Sequence, residues 1–217
     1  FSSYRFDIVG AALQLFTEEL LCEWIKRLIR HTRIRKIALS GGVFMNVKAN
    51  MLIAKLPEVE SVFVFPSCGD ESNAIGAAYY EYYRQTGNHP SPIHNLYLGD
   101  KLEINESHLP DIPKEIKINK YNNIDEEIAS LLSKGVIVAR VTGKMEFGAR
   151  ALGNRSILSS PSVDGAVKEI NDMIKGRDFW MPFAPSVLHE DLSLYFKVDE
   201  STVDYEYMMF TAESKEE

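Results

Sequence analysis

The chain has 217 residues, of which 45% are hydrophobic and 25% charged, a composition typical of a globular protein that can bury a sizeable core. Its formal net charge of −7, with acids and bases interleaved, argues against nonspecific nucleic-acid binding, which needs a basic face. The two cysteines form no CxxC pair and no apolar run approaches the roughly 20 residues of a membrane span, so we expect a cytoplasmic protein.

The first part of the chain predicts alternating helices and strands. Apolar residues recur at helical spacing in the first 32 residues, and two short apolar runs, each ending in a glycine turn, follow. This order of helix, strand, helix, strand and helix indicates an α/β fold. The predicted helices span about residues 7–32, 46–56 and 71–85, and the predicted strands span 36–39 and 61–66.

The segment from 86 to 121 is rich in proline and glycine and lacks helical periodicity. We interpret it as a linker and an irregular entry into a second domain, because structureless loops of that length are uncommon inside one compact domain. The expected domains are therefore 1–95 and 96–217. The second is predicted to contain helices over about 125–134 and 163–175, a strand over 136–141, a turn-rich segment over 146–158, an extended segment over 180–188 and a helical turn over 191–196.

Two glycine turns are candidates for ligand binding. Ser40, Gly41 and Gly42 lie between a predicted strand and a helix, where glycine lets backbone N–H groups approach a phosphate. A plain strand-to-helix turn explains the same pattern equally well. Asn46 follows, and it either binds a ribose or phosphate or caps the next helix.

The second turn is Gly69-Asp70, after the other predicted strand. Helix capping by Asp70 is the interpretation that its position favours, and metal ligation is the functional alternative. Because two parallel strands would place both turns at one edge of a sheet, where open α/β sheets bind ligands, the pair favours a nucleotide site.

The densest cluster of basic residues lies between 144 and 156 and contains Lys144, Arg150 and Arg155 among glycines. Arginine binds phosphate and carboxylate in a bidentate way, so this cluster predicts an anion pocket. The alternative is a surface hairpin with solvated bases, which the apolar flanks at 136–141 and 157–158 disfavour.

Three residues further along are open to two interpretations. Lys175 and Arg177 either close the same pocket or complement the dipole of the preceding helix. Ser186, after two rigidifying prolines, either presents its hydroxyl to a ligand or belongs to a buried connection.

Four strings follow one another along the chain: LSGGVFMNVKAN (39–50), FPSCGDESNAIGAA (65–78), GKMEFGARALGNRSIL (143–158) and IKGRDFWMPFAPSVL (174–188). In this order they resemble the NodU/CmcH family of O-carbamoyltransferases, and the third string is the most diagnostic. The resemblance spans nearly the whole chain. It implies the C-terminal part of an actin/hexokinase-like (ASKHA) domain, followed by part of a YrdC-like α+β domain.

The resemblance also implies a reaction and its partners. In that family the YrdC-like domain joins carbamoyl phosphate to ATP to give carbamoyl adenylate and pyrophosphate. The other domain passes the carbamoyl group to a hydroxyl of a small-molecule acceptor, a sugar or secondary-metabolite intermediate, beside a divalent metal reported as iron. No nucleic-acid or membrane partner is expected. A homodimer is one open alternative, because the sequence leaves the oligomeric state undecided.

Site residues carry over by position in these strings. The resemblance implies catalytic roles for Arg150, Arg155 and Lys175, and a metal-binding role for Asp70. It implies substrate or nucleotide binding for Ser40, Gly41, Gly42, Asn46, Gly69, Lys144, Ser156, Arg177 and Ser186.

The chain also departs from the family pattern. Ala149 replaces the usual proline, and Lys144 stands where arginine is common. The first residue is Phe1, and the family's metal-binding histidine motif and its C-terminal His-x-Asp-Gly-like string are absent, so we expect a fragment that does not complete catalysis alone. Alternative functions are an ATPase or sugar kinase of the actin/hexokinase-like superfamily, or a relative of the tRNA threonylcarbamoylation enzymes.

Overall fold

The computed structural model describes residues 4–101, 113–178, 180–199 and 203–215, and the chain divides into two compact units. The first unit comprises Phe1–Pro92 and Ser186–Glu217, and the second comprises Ile93–Pro185. The helices are α1 (Phe6–Thr32), α2 (Val47–Ala54), α3 (Asn73–Thr86), α4 (Ile124–Ser133), α5 (Ala166–Glu169) and α6 (Leu192–Tyr195). The strands are β1 (Lys36–Leu39), β2 (Ser61–Val64), β3 (Val138–Val141), β4 (Arg155–Leu158), β5 (Phe196–Lys197) and β6 (Glu213–Ser214).

The first unit is built on the parallel pair β1 and β2, in which Lys36 faces Ser61 and Leu39 faces Val64. Helix α1 packs on α2 and buries one stripe of side chains at helical spacing: Leu21, Ile25 and Ile29. The helix ends where Arg33 adopts a left-handed conformation and donates its N–H to the carbonyl of Ile29. The predicted α1 and both predicted strands are confirmed.

The C-terminal segment contributes to the core of this same unit. Val203, Met209 and Phe210 are buried together with α1, α2 and the two strands. The observed unit therefore differs from the sequence-based division, which assigned residues 186–217 to the second domain, because these apolar side chains are buried against the first unit. The identification of residues 1–95 with an ASKHA domain and of 96–217 with a YrdC-like domain stays a prediction.

The second unit contains the antiparallel pair β3 and β4, in which Val138 faces Leu158 and Val141 faces Arg155. The thirteen residues between these strands, 142–154, form a long connection that is closed at its base by the bond from Thr142 N–H to the Asn154 carbonyl at 3.0 Å. We call residues 142–156 the basic loop. Strand β4 was not predicted, because its polar first half conceals the period-2 pattern of a strand.

The observed helix in the region predicted as 163–175 starts later than predicted and is irregular at its end. Helix α5 begins only after Gly165, whose φ of 81° breaks the helical path. It continues as a π-helical segment over Ile170–Lys175 that buries Ile170 and Asn171. The observed architecture is a mixed α/β arrangement of helices and small sheets. Within the described ranges, none of the helices has both the length and the apolar character needed to cross a membrane.

Candidate functional site

The two glycine turns of the first unit lie side by side. Because β1 and β2 are parallel neighbours, their carboxyl ends meet at one edge, and the Gly41 N–H donates to the Cys68 carbonyl at 2.9 Å. Gly41 has a φ of 117°, which favours glycine, and a Cβ placed on Gly41 or Gly42 would meet nothing within 4 Å. With Ser40 also exposed, this edge is open on the side of the glycines.

Asn46 lies at the start of α2, where its side chain has structural partners. Its Oδ1 accepts from the Ala49 N–H at 3.1 Å, which is the geometry of a helix cap. The same amide forms a reciprocal pair with Gln14 of α1, with distances of 3.0 and 2.9 Å. The structure therefore shows the capping interpretation of Asn46, and its contact with a nucleotide stays a prediction.

Asp70 is exposed at the first position of the 3-10 turn Asp70–Ser72, which leads into α3. Its carboxylate makes no hydrogen bond to a backbone N–H in the part of the chain that the structure describes, so capping does not account for it. The neighbouring Glu71 instead folds back over Gly69 and accepts a hydrogen bond from the Ser67 hydroxyl. That bond, aided by the backbone N–H groups of Glu71 and Gly69, lowers the pKa of Glu71.

A metal ion needs several ligands, so a single carboxylate such as that of Asp70 does not hold one by itself. Across residues 4–101, 113–178, 180–199 and 203–215 no group of three or more His, Cys, Asp or Glu side chains is arranged to hold a metal ion. The described residues therefore do not fit a metal by themselves, and the role of Asp70 as a metal ligand stays a prediction.

The basic loop of the second unit is organised around one buried carboxylate. Glu146 is only 9% exposed, and its Oε1 accepts hydrogen bonds from three backbone N–H groups. These come from Leu152 at 2.9 Å, Asn154 at 2.6 Å and Arg155 at 3.1 Å. The single acidic side chain of the loop thus fixes the path of the residues that carry its cations.

The electrostatics of Glu146 favour the charged form. Burial raises the pKa of this carboxyl, but hydrogen bonds from the backbone N–H groups of Glu146, Leu152, Asn154 and Arg155 outweigh burial, and the pKa lies below its usual value. A fixed negative charge therefore lies within a loop that also carries Lys144, Arg150 and Arg155.

Arg155 begins β4 and uses one side of its guanidinium to close the base of the loop. Its Nη1 donates to the carbonyls of Thr142 at 2.6 Å and Asn154 at 2.8 Å, and Nη2 lies 3.5 Å from the Gly143 carbonyl. Among the described residues its Nε has no hydrogen-bond partner. The guanidinium is therefore held in one orientation while the edge formed by Nε and Nη2 keeps donor capacity.

Arg150 lies near the tip of the loop and is half-buried. Its Nε is buried without a hydrogen-bond partner among the described residues. A buried guanidinium N–H without an acceptor is costly, so this donor is suited to an anionic oxygen. Arg150 and Arg155 belong to the same loop, and that shared loop is the relation between them that the structure shows.

Two other predicted residues of this loop are placed differently. The Ser156 hydroxyl accepts the Gly153 N–H at 3.0 Å, so it supports the turn before β4. The Lys144 side chain is exposed, while its carbonyl accepts from the Asn154 amide at 2.7 Å.

Lys175 and Arg177 form no hydrogen bond or ion pair with the basic loop among the described residues. Lys175 is exposed at the end of the π-helical segment. Arg177 donates from Nε to Asn171 Oδ1 at 2.6 Å and lies 4.4 Å from the centroid of the Phe183 ring, so it stabilises the segment around it. Ser186 is exposed and belongs to the first compact unit.

Sequence reasoning missed the residues that hold the basic loop in place. Besides Glu146, the segment 96–101 pairs with residues 144–147, through bonds such as Phe147 N–H to the Leu96 carbonyl at 2.7 Å. The Tyr97 hydroxyl donates to the Leu152 carbonyl at 2.9 Å. A signal for Glu146 was present, because it is the only acid between 142 and 156 and lies between Met145 and Phe147.

Comparison with known proteins identifies the family. The family described as the carbamoyltransferase N-terminus matches residues 3–79, and that described as the carbamoyltransferase C-terminus matches residues 129–217. An uncharacterised protein of Methanocaldococcus jannaschii is 33% identical over 96% of this chain and 35% of its own length. Nodulation protein NolNO of Sinorhizobium fredii is 30% identical over 96% of this chain and 31% of its own length.

The 3'-hydroxymethylcephem-O-carbamoyltransferase of Streptomyces clavuligerus is 34% identical over 74% of this chain and 30% of its own length. The chain spans roughly a third of the length of these relatives. The matched N-terminal and C-terminal regions lie in the expected order and together cover most of the chain. The chain therefore belongs to the carbamoyltransferase family.

Proposed function

We propose that the chain is part of an O-carbamoyltransferase that activates carbamoyl phosphate with ATP and transfers the carbamoyl group to a hydroxyl of a sugar or secondary-metabolite acceptor. The family membership and a relative named as a 3'-hydroxymethylcephem-O-carbamoyltransferase support this proposal. Because the chain spans only about a third of that relative, the activity is proposed for the protein that contains this chain, and the chain alone supplies part of the site.

The proposed scheme has two stages: activation of the carbamoyl group, which comprises a hydrolysis and an adenylation, and transfer of that group to the acceptor. Water releases phosphate from carbamoyl phosphate, the resulting carbamate oxygen attacks the α-phosphorus of ATP, and pyrophosphate leaves carbamoyl adenylate. The acceptor hydroxyl oxygen then attacks the carbamoyl carbon, AMP leaves, and the hydroxyl proton passes to a base. The adenylation brings two anions, carbamate and ATP, together, so the activation stage needs fixed positive charge at the phosphates.

The observation that carries the proposal is that both arginines of the basic loop, Arg150 and Arg155, keep guanidinium N–H donors without an acceptor among the described residues. Arg150 has a buried Nε without an acceptor, and the Arg155 guanidinium is oriented by carbonyls on one side and keeps its Nε edge. Fixed donors of this kind neutralise a phosphate without reorganising. We assign these two arginines to the carbamoyl phosphate and adenylate oxygens.

The remaining predicted residues take secondary roles in the proposal. Lys144, Lys175, Arg177, Ser156 and Ser186 are proposed to contact the substrates of the activation step. The glycine turns of the first unit, Ser40, Gly41, Gly42 and Gly69, with Asn46, are proposed to contact the nucleotide. Asp70 is proposed as one ligand of a divalent metal, expected to be iron, whose other ligands lie outside the described residues.

Isothermal titration of the chain with carbamoyl phosphate, alone and with a nonhydrolysable ATP analogue, tests the activation site. We expect saturable binding of carbamoyl phosphate that Arg150→Ala weakens by about tenfold to a hundredfold, the usual effect of losing a charge-assisted hydrogen bond. Arg84→Ala is the matched control, because Arg84 lies exposed on α3 and pairs with Glu81. Absence of binding, or equal binding by wild type and Arg150→Ala, would contradict the proposal.

A second candidate function rests on the first unit alone. The hydrogen bond from Gly41 to Cys68 joins two glycine turns at the edge of a parallel pair of strands, and a nucleotide-dependent kinase or ATPase also uses such an edge. This alternative assigns no role to Arg150 and Arg155. Formation of a phosphorylated sugar from ATP alone, without carbamoyl phosphate, would favour it.

A further inference from the structure

We infer that Glu146 is a positioning residue, which holds the basic loop in the conformation that receives the anionic substrate. The inference rests on the proposed function, because the anion is taken to be carbamoyl phosphate. Glu146 itself touches no substrate in this assignment. It acts through the backbone that carries Arg150 and Arg155.

The geometry shows how one carboxylate controls the loop. Oε1 of Glu146 accepts the N–H groups of Leu152, Asn154 and Arg155 at 2.9, 2.6 and 3.1 Å. These bonds join position 146 to positions 152–155, so the residues between them form a closed turn. Arg150 lies inside that turn, and its position is therefore set by the same three bonds.

Arg155 is coupled to Glu146 through its main chain and to the base of the loop through its side chain. Its N–H bonds to Glu146, and its Nη1 bonds to the carbonyls of Thr142 and Asn154. Asn154 is shared, because its own N–H also bonds to Glu146. Loss of the Glu146 carboxylate would therefore free the main chain of both Asn154 and Arg155. The Asn154 carbonyl, which accepts from Arg155 Nη1, would move with that main chain, and the Nε edge of the Arg155 guanidinium would lose its fixed direction.

Only an ionised carboxylate suits this position. Three N–H groups converge on one oxygen of Glu146, and a carboxylate is an acceptor at both of its oxygens. A glutamine has the same shape, but its neutral carbonyl is a weaker acceptor for the three converging N–H groups. An aspartate keeps the charge but is shorter by one methylene group. Glu146→Gln therefore tests the effect of the charge, and Glu146→Asp tests the effect of the side-chain length.

Preorganisation is the link between this network and binding. A loop already fixed in its bound conformation loses little conformational entropy when a ligand binds. Sites supported by a surrounding shell of hydrogen bonds hold their contacting groups more accurately than sites on unsupported loops. We therefore expect Glu146 to change the affinity for the anion without contacting it.

The experiment compares wild type, Glu146→Gln and Glu146→Asp in the whole 217-residue chain, with Glu115→Gln as the matched control. Glu115 is exposed in the same unit and has no hydrogen bond or ion pair among the described residues. Two quantities are measured for each variant: the dissociation constant for carbamoyl phosphate, and hydrogen exchange at the amides of Leu152, Asn154 and Arg155. Exchange at the α4 amides reports whether the unit as a whole remains folded.

We expect Glu146→Gln to accelerate exchange at the three amides while α4 is unchanged, and to raise the dissociation constant by about tenfold or more. Glu146→Asp is expected to recover part of both effects, and Glu115→Gln is expected to match wild type. A purely structural role would change the melting temperature and leave the dissociation constant of the folded protein unchanged, which would overturn the inference.

The design separates this inference from the proposed function. If wild type fails to bind carbamoyl phosphate, the proposed function fails and the role of Glu146 in binding fails with it. If wild type binds and Glu146→Gln binds equally well, the inference alone is overturned. Unchanged exchange at the three amides in Glu146→Gln also overturns it, whether or not carbamoyl phosphate binds.

Discussion

The side-chain amide of Asn50 donates to the carbonyl of Met209 at 2.9 Å, across 159 positions of the sequence. The same Nδ2 donates to the carbonyl of Phe44 at 2.7 Å, so one fully buried amide joins the C-terminal segment to the turn that follows the first glycine loop. Both Met209 and Phe44 belong to the core of the first unit. The amide thus satisfies two backbone groups that water does not reach.

Replacing Asn50 by alanine should destabilise the first unit. The carbonyls of Phe44 and Met209 would lose their donor, and leaving buried polar groups unsatisfied costs about 1–3 kcal/mol. Urea unfolding monitored by circular dichroism measures this loss as a lower free energy of unfolding. Asn88→Ala is the control, because Asn88 is exposed, and an equal effect of the two substitutions would show that burial of Asn50 is not the cause.

Replacing Gly99 by alanine should loosen the attachment of the basic loop to the segment 96–101. A Cβ on Gly99 would lie 2.8 Å from the Cβ of Met145 and 3.0 Å from its carbonyl oxygen, so the backbone pairing there must shift. Such overpacking typically costs about 1–3 kcal/mol. Thermal unfolding is the measurement, and the expected result is a lower melting temperature.

Gly76→Ala is the matched control for that substitution. Gly76 lies within α3, and a Cβ there would meet nothing within 4 Å. Alanine is favoured over glycine inside a helix by roughly 0.5–1 kcal/mol, so this variant should be as stable as wild type or more stable. If Gly99→Ala were equally well tolerated, the close contact with Met145 would be shown not to matter.

The sequence predicted α1 well but not the face that α1 buries. Helical spacing of apolar residues located its ends within one residue, yet Leu20 and Trp24 are exposed while Glu18 is buried beside α2. Apolar residues occur around much of this helix, so periodicity alone does not select one stripe. The partners of Glu18 are polar residues on α1 and α2, and their meeting depends on how the two helices pack.

The candidate sites were predicted unevenly for a similar reason. The sequence predicted that the two glycine turns are adjacent, because two parallel strands end at the same edge of a sheet. The hydrogen bond from the Gly41 N–H to the Cys68 carbonyl shows this adjacency. The support of the basic loop by Glu146 and by residues 96–101 was not predicted, because it depends on contacts between segments that no local pattern encodes. The clustering of Lys144, Arg150 and Arg155 in the sequence indicated a basic site. The sequence did not indicate that Glu146, the one acid among them, orients the loop that carries them.

Substitutions of Asn46 should distinguish its helix cap from its proposed contact with a nucleotide. Asn46→Ala removes the acceptor of the Ala49 N–H and should cost about 0.5–2 kcal/mol of stability, measured by urea unfolding. Asn46→Ser keeps a capping oxygen and should be closer to wild type. If a nonhydrolysable ATP analogue binds wild type but not a stable Asn46→Ser variant, the nucleotide contact gains support, whereas equal binding would contradict it.

Stability of the first unit should depend on pH through Glu18. Hydrogen bonding by Gln14 at 2.6 Å is the largest influence on this carboxyl; burial opposes it, and Lys48 at 3.0 Å reinforces it, so the pKa lies below the ordinary value of 4.5. Below 4.5 the unfolded chain binds this proton more readily than the folded chain does. The contribution is therefore complete above that pH and is lost as the pH falls through the lowered pKa of the folded state.

Glu18→Gln isolates this contribution, because the amide keeps the shape of the side chain and does not titrate. We expect the free energy of unfolding of wild type to fall more steeply than that of Glu18→Gln when urea unfolding is repeated from pH 6 down to the acid range. Glu19→Gln, at an exposed neighbouring position on α1, should keep the steep wild-type dependence. Parallel curves for wild type and Glu18→Gln would mean that the contacts with Gln14 and Lys48 do not favour the charged carboxylate in the folded protein.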